Sequence, residues 1–178
     1  MIHLYKPQGY GIHCCISVEF INYYSPLRYR TDENIVFEES IIEIRRDDSG
    51  KWCLALVPIA LLKPHEEIDE LHLHELRKRI ISDGMIMYPV IVDIKTLTIL
   101  NGHHRVEILK RMGKKYVPAI LVDYDNECVK VFSWRKEWSV TKELVRKAAL
   151  SGHKLPPRTS RHVLCFEIPR VDLPLDRL

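Results

Sequence analysis

Glutamine is nearly missing from this chain of 178 residues, which carries it only at Gln8. Scarce amides beside many charged side chains suit a thermophilic source. Long apolar runs are absent: none approaches the ~20 residues of a membrane span, so no membrane partner is expected. The N-terminus also lacks a charged segment followed by an apolar one, as a secretory signal would have. An excess of one charge is missing too. Lysine plus arginine number 27 against 24 acids, and a net charge of +3 does not indicate bulk nucleic-acid binding unless the basic residues cluster. Five cysteines (Cys14, Cys15, Cys53, Cys128, Cys165) are odd in number and lack CxxC spacing. Neither a zinc site nor a disulfide framework is expected from them, and reduced thiols in the cytoplasm are the default. Internal repeats and low-complexity segments are absent, leaving one domain, or a core with an appendage, able to bury a sizeable core.

What is present reads as alternating short strands and helices. Residues 1–39, rich in Tyr, Ile and Pro, predict short strands and loops. "SIIEIRRDDSGKWCLALV" places two β-prone runs around a polar turn, a hairpin pattern. Pro64 then breaks the strand, Asp69 is placed to cap a helix, and Leu71, Leu73, Leu76, Ile80 and Ile81 recur at roughly helical spacing up to Gly84. "YPVIVDIKTLTILNG" predicts two strands around a tight turn, running into Asn101 and Gly102. A helix with an apolar stripe of Val106, Leu109 and Met112 follows, ending at Gly113. Residues 116–124 and 128–134 predict strands, residues 140–152 a helix capped by Thr141, and the proline-punctuated tail an irregular course.

Three places concentrate chemistry. "LNGHHRVEILKRMG" turns from strand to helix through a glycine, where open backbone N–H groups and a partial positive charge favour phosphate. His103, His104 and Arg105 in that first turn oppose the helix dipole if charged, and a polar surface turn remains an alternative there. A metal cluster is less favoured, because adjacent helical residues point in different directions and no HxxxH pair accompanies them. "KPHEE" lies on a loop, where an acid can orient a hydroxyl and accept its proton, or serve only as a solvated turn. His72 and His74 fall on different helix faces and read as surface residues. "RTSRHV" joins hydroxyls, arginines and a histidine into a carboxylate or phosphate cradle or a plain polar loop. Trp134 reads as core or as a wall facing a ligand.

Taken in order, "LKPHE", "LNGHHRVEILKRMG", "VPAILVDY", "VKVFSW" and "PPRTSRHVLCF" resemble the archaeal free L-serine kinases, a branch of the ParB/sulfiredoxin-like fold. The resemblance implies an α+β fold, a small mixed sheet flanked by helices. It places the catalytic domain at residues 58–178 and leaves residues 1–57 as an N-terminal β-rich extension of unassigned role. It also implies phosphoryl transfer from ATP or ADP to free L-serine with Mg2+, giving O-phospho-L-serine. By motif position Glu66 matches the family's catalytic base, and Asn101, Gly102, His103, His104 and Arg105 match its nucleotide-phosphate turn. Trp134, Thr159, Ser160, Arg161 and His162 match its substrate-holding residues. The family has Asp where this chain has Asn101, so a metal at that position would meet a carbonyl oxygen without the negative charge.

Three other readings compete. A ParB-like protein that binds a nucleotide such as CTP, or acts as a nuclease, predicts a basic DNA-reading module, for which the tail is too short and proline-rich. A sulfiredoxin-like activity needs a cysteine where this chain has His103. A catalytically silent nucleotide sensor is the third.

Overall fold

Alternation along the apolar strands sorts their side chains onto two faces of one sheet, and both faces are covered. The computed structural model describes residues 40–136 and 138–178, and the strands and loops expected over residues 1–39 lie outside the described residues. In chain order the first elements are β1 (Ile42–Arg46), β2 (Trp52–Pro58), α1 (Glu70–Asp83), β3 (Met85–Ile86), β4 (Val90–Asp93) and β5 (Ile99–Asn101). They are followed by α2 (His103–Arg111), β6 (Tyr116–Val122), β7 (Val129–Ser133), α3 (Lys142–Ser151), β8 (Ser160–Leu164) and β9 (Leu173–Pro174). The main sheet has the order β1-β2-β6-β4-β5. Only the β4–β6 pair in it is parallel, so the sheet is mixed, as expected for this α+β class.

On β6, Val117, Ala119 and Leu121 enter one core, which packs against Leu73 and Ile80 of α1 and Val106 and Leu109 of α2. The intervening Ile120 and Val122 enter a second core with Ile91, Tyr124 and Val145 of α3. The expected hairpin is β1–β2, and β2 pairs with β6 along its whole length. The main sheet therefore runs across residue 57, and residues 42–58 are built into it.

Asp69 caps α1 as expected, its carboxylate accepting from the Leu71 and His72 amides, and Gly84 ends it at φ +66°. The stripe holds at Leu73 and Ile80, whereas Leu71 is 83% exposed and Ile81 also faces out. Those two sit off the face that a period of 3.6 brings to the sheet.

The tail departs most from expectation. Ser160–Leu164 is a strand, paired antiparallel with β7 in the register Ser133↔Ser160 to Val129↔Leu164. Cys128 and Cys165 close the far end of this ribbon as a disulfide with Cα atoms 4.8 Å apart. The expectation of reduced thiols is thus corrected for this pair: antiparallel pairing brings together cysteines 37 residues apart, which linear spacing does not reveal. Cys53 is free and buried. Among the described residues no helix is long and apolar enough to cross a membrane.

Candidate functional site

The turn at residues 101–105 is built around a glycine that no other residue can replace cheaply. Gly102 has φ +100°, and a Cβ there would stand 2.5 Å from Val90 Cγ1 on the neighbouring strand. As the N-cap of α2 it offers no side chain to the helix's first amides. Those amides stay open, which makes the helix start a ready anion site.

The two histidines that follow do not oppose the helix dipole as their type first implies. His103 is buried, and burial followed by the charge of nearby His65 holds its pKa well below the usual histidine range. Its Nε2 accepts from the His65 amide at 3.3 Å. His104 is also shifted down, by burial and then by His72, and its Nε2 accepts from the Asp69 amide at 3.1 Å. Both rings therefore act as neutral acceptors that tie α2 to the 64–69 loop. The Arg105 guanidinium bonds the Tyr88 carbonyl at 2.6 Å, the Pro89 carbonyl at 2.8 Å and Asn101 Oδ1 at 3.4 Å, all neutral groups. Burial lowers its pKa to about 10, so it keeps its charge at neutral pH beside the open amides.

Glu66 is set by backbone pairing on both sides. The Leu155 amide donates to the His65 carbonyl and the Glu67 amide to the Leu155 carbonyl, each at 2.8 Å, which fixes the loop as an extended segment. The carboxylate is buried. Its Oε1 accepts from the Ser160 amide and the Ser160 hydroxyl, both at 2.7 Å, and Oε2 accepts from the Arg158 amide at 3.1 Å. Burial alone would raise its pKa, but hydrogen bonds from His65 and Ser160 outweigh that and bring it to about 2. Arg158 takes a left-handed φ of +57°, which aims its amide at Glu66 at a cost of about 1–3 kcal/mol.

One open cavity of about 540 Å³ gathers these parts. Glu66, the 101–105 turn, Trp134 and the Ser160–His162 strand all line it. Trp134 is 59% exposed and carries the Arg161 guanidinium 4.9 Å above its ring, so it is a wall and not core. His162 bonds the Tyr124 hydroxyl through Nε2 at 2.7 Å, and burial lowers its pKa to about 3. Thr159 stands apart from the other expected residues: it is fully buried, and its hydroxyl donates to the Pro156 carbonyl at 2.7 Å.

Sequence reasoning missed His65 and read His72 as a surface residue, whereas Arg158 falls within the expected RTSRHV cradle. His72 and Arg158 line the cavity. His65 is 0% exposed and connects three segments of the site. Its position before Glu66 was visible, but nothing local showed that the ring is buried.

Among the described residues no group of three or more His, Cys, Asp or Glu side chains is placed to hold a metal. Asn101 offers a neutral oxygen already facing the Arg105 cation. Magnesium typically keeps several waters and is held by one or two carboxylates plus substrate phosphates, and Glu66 is the carboxylate that lines this cavity.

A mixed sheet with an uncapped helix start facing a polar β-ribbon makes an α+β domain whose open helix start suits an anion. Residues 50–133 match the ParB N-terminal domain family. The chain is 40% identical over 83 residues to an ATP-dependent L-serine kinase of Staphylothermus marinus, covering 44% of this chain and 33% of that protein. It is 36% identical over 75 residues to a ParB-like protein of Sulfolobus acidocaldarius, covering 42% and 37%. The matched stretch thus spans about a third of the length of these curated relatives. The structure superimposes on a free serine kinase in complex with AMP with a TM-score of 0.64 at 16% identity, covering 79% of this chain and 97% of that one. The chain shares that fold, and its sequence is similar to that of the L-serine kinases.

Proposed function

We propose that this chain is a free L-serine kinase, transferring a phosphoryl group from ATP or ADP to the hydroxyl of L-serine to give O-phospho-L-serine. The observation that carries the reading is the convergence of Glu66, the open start of α2 and the Ser160–His162 strand on one cavity. The α2 amides and the Arg105 cation would hold the nucleotide phosphates. Arg161, on the ribbon beside Trp134, would take the carboxylate of the amino acid, because a guanidinium fork matches two carboxylate oxygens. Ser160 would serve from the same strand. Thr159 would act from behind, holding the segment through Pro156.

In this role Glu66 accepts the proton of the serine hydroxyl. A carboxylate titrating at about 2 is a weak base. It suffices in a loose transition state, where bond making is small and the proton leaves late, so that positioning and charge neutralisation dominate. Magnesium would arrive with the nucleotide phosphates and neutralise their charge, with Asn101 contributing at most a carbonyl oxygen. The reading places the reaction in the cytoplasm and needs no nucleic acid.

A second reading, a ParB-like nucleotide-binding protein, is favoured by the family match over residues 50–133. Incubating the protein with L-serine, Mg2+ and either ATP or ADP separates the two. O-phosphoserine with one of the donors is expected. No product with either donor, together with CTP turnover or DNA binding, would shift the assignment to the second reading.

A further inference from the structure

Buried next to Glu66 lies a hydrogen-bonded chain whose protons can be counted. His65 Nδ1 stands 2.7 Å from the Ile99 carbonyl, which only accepts, so Nδ1 carries a proton. His65 Nε2 stands 2.8 Å from Ser160 Oγ, and Ser160 Oγ stands 2.7 Å from Glu66 Oε1. The serine hydroxyl has one proton for these two neighbours. With a neutral His65 ring, that proton serves Nε2, and Glu66 Oε1 keeps only the Ser160 amide. With a doubly protonated ring, Nε2–H donates to Oγ and the hydroxyl proton is pushed onto Glu66. The ring state of His65 thus decides how many donors hold the carboxylate, and a carboxylate with fewer donors is the stronger base.

We infer that His65 is a positioning residue for Glu66, acting through the Ser160 hydroxyl: its neutral ring draws that hydroxyl away and frees the carboxylate to accept the substrate proton. The inference rests on the serine kinase reading for its consequence in turnover, and on the geometry alone for the coupling between the two side chains. In the step it serves, a bond forms between the serine hydroxyl oxygen and the transferred phosphorus. The bridging P–O bond of the nucleotide breaks, leaving its electron pair on the nucleotide, and the hydroxyl proton passes to Glu66.

The titratable groups facing His65 are Glu66, whose Oε1 is 3.6 Å from Nε2, His103 at 4.5 Å between ring centroids and His162 at 5.8 Å. His103 is on α2 and His162 is on β8, and both are held neutral. The arrangement has the form of a base oriented by a third group, generalised to a carboxylate.

Two readouts on the full chain test this. The first is the split between kcat and KM in O-phosphoserine formation. His65→Phe keeps a ring in the buried place but no acceptor, so the Ser160 hydroxyl stays on Glu66. The variant should lose kcat roughly tenfold to a hundredfold with the KM for L-serine little changed, and adding Ser160→Ala should recover most of that loss. Unchanged kcat in His65→Phe, or no recovery in the double variant, would overturn the inference. The second is the side-chain carboxyl 13C shift of Glu66, which needs no turnover. His65→Phe should move that shift where Ser160 is present and leave it unmoved in the Ser160→Ala background, and an equal movement in both refutes the coupling. Should the wild type make no O-phosphoserine, the kinase reading falls and the 13C shift alone decides the His65–Glu66 coupling. Should His65→Phe fail to fold, His65→Leu replaces it in both readouts.

Discussion

Helices α1 and α3 begin in one way and α2 in another. Asp69 and Thr141 close the first two with their own side chains, and an acid, Glu70 or Glu143, sits in each first turn. These are the features that satisfy a helix start and complement its dipole. At the start of α2 there is neither: the cap is Gly102, no side chain bonds the first amides, and no acid occupies the first turn. The difference separates a helix start closed by its own side chains from one left open, where we propose that the phosphate sits. The histidines fit the same logic, because His103 and His104 accept from the 64–69 loop and leave the α2 amides alone.

The largest effect should come from closing the open start by force. Gly102→Ala puts a Cβ 2.5 Å from Val90 Cγ1 at a φ of +100°. We expect a loss of about 2–4 kcal/mol in stability and the disappearance of AMP binding, read by denaturant melts and calorimetry. Acid should act next. His103, His104 and His162 have folded pKa values below the ordinary histidine value, so the unfolded chain binds more protons than the folded one once the pH falls through about 6.5. Their contribution is intact above that pH and is lost below it. Glu66, depressed to about 2, adds a loss that begins as the pH falls through its unfolded value near 4.5. Tm should therefore drop steadily from pH 7 to pH 4, and a flat profile would mean that the three rings are not held neutral.

Smaller changes sharpen the contrast. Asn101→Asp gives α2 the acid that the other helix starts have, next to Arg105. It should raise stability by about 0.3–1 kcal/mol while weakening metal-free AMP binding several-fold, since the carboxylate competes for the same positive field. Thr141→Ala removes an ordinary cap from α3. It should cost about 1 kcal/mol and leave AMP affinity unchanged, whereas a joint loss of stability and affinity would erase the distinction between the two kinds of helix start.

Much of this contrast is legible in the chain. Asp69, Thr141, Gly84 and Gly152 mark the ends of α1 and α3 by local chemistry, and Gly102 followed by His-His-Arg marks α2 as unusual. Glu66 stands out as an acid on a loop. What stayed hidden depends on pairing over long distances. His65 reads as one more polar loop residue until Ser160, 95 positions away, is seen against its ring. Ser160 to His162 read as loop because the strand they form is defined by its partner Phe132, Val131 and Ser133 on β7. The same pairing hides the Cys128–Cys165 bond, and pairing with β6 is what joins β2 to the main sheet. Leu71 shows the converse, an apolar residue at near-helical spacing that tertiary packing leaves in solvent.

The most direct measurement follows backbone amide shifts by 1H–15N NMR while AMP is added. Phosphate on an open helix start should move the His103, His104 and Arg105 amides most, with Leu71, His72 and Leu144, already bonded to their own caps, nearly still. Shifts spread over the capped starts, with the α2 amides unmoved, would contradict the assignment of this turn as the phosphate grip.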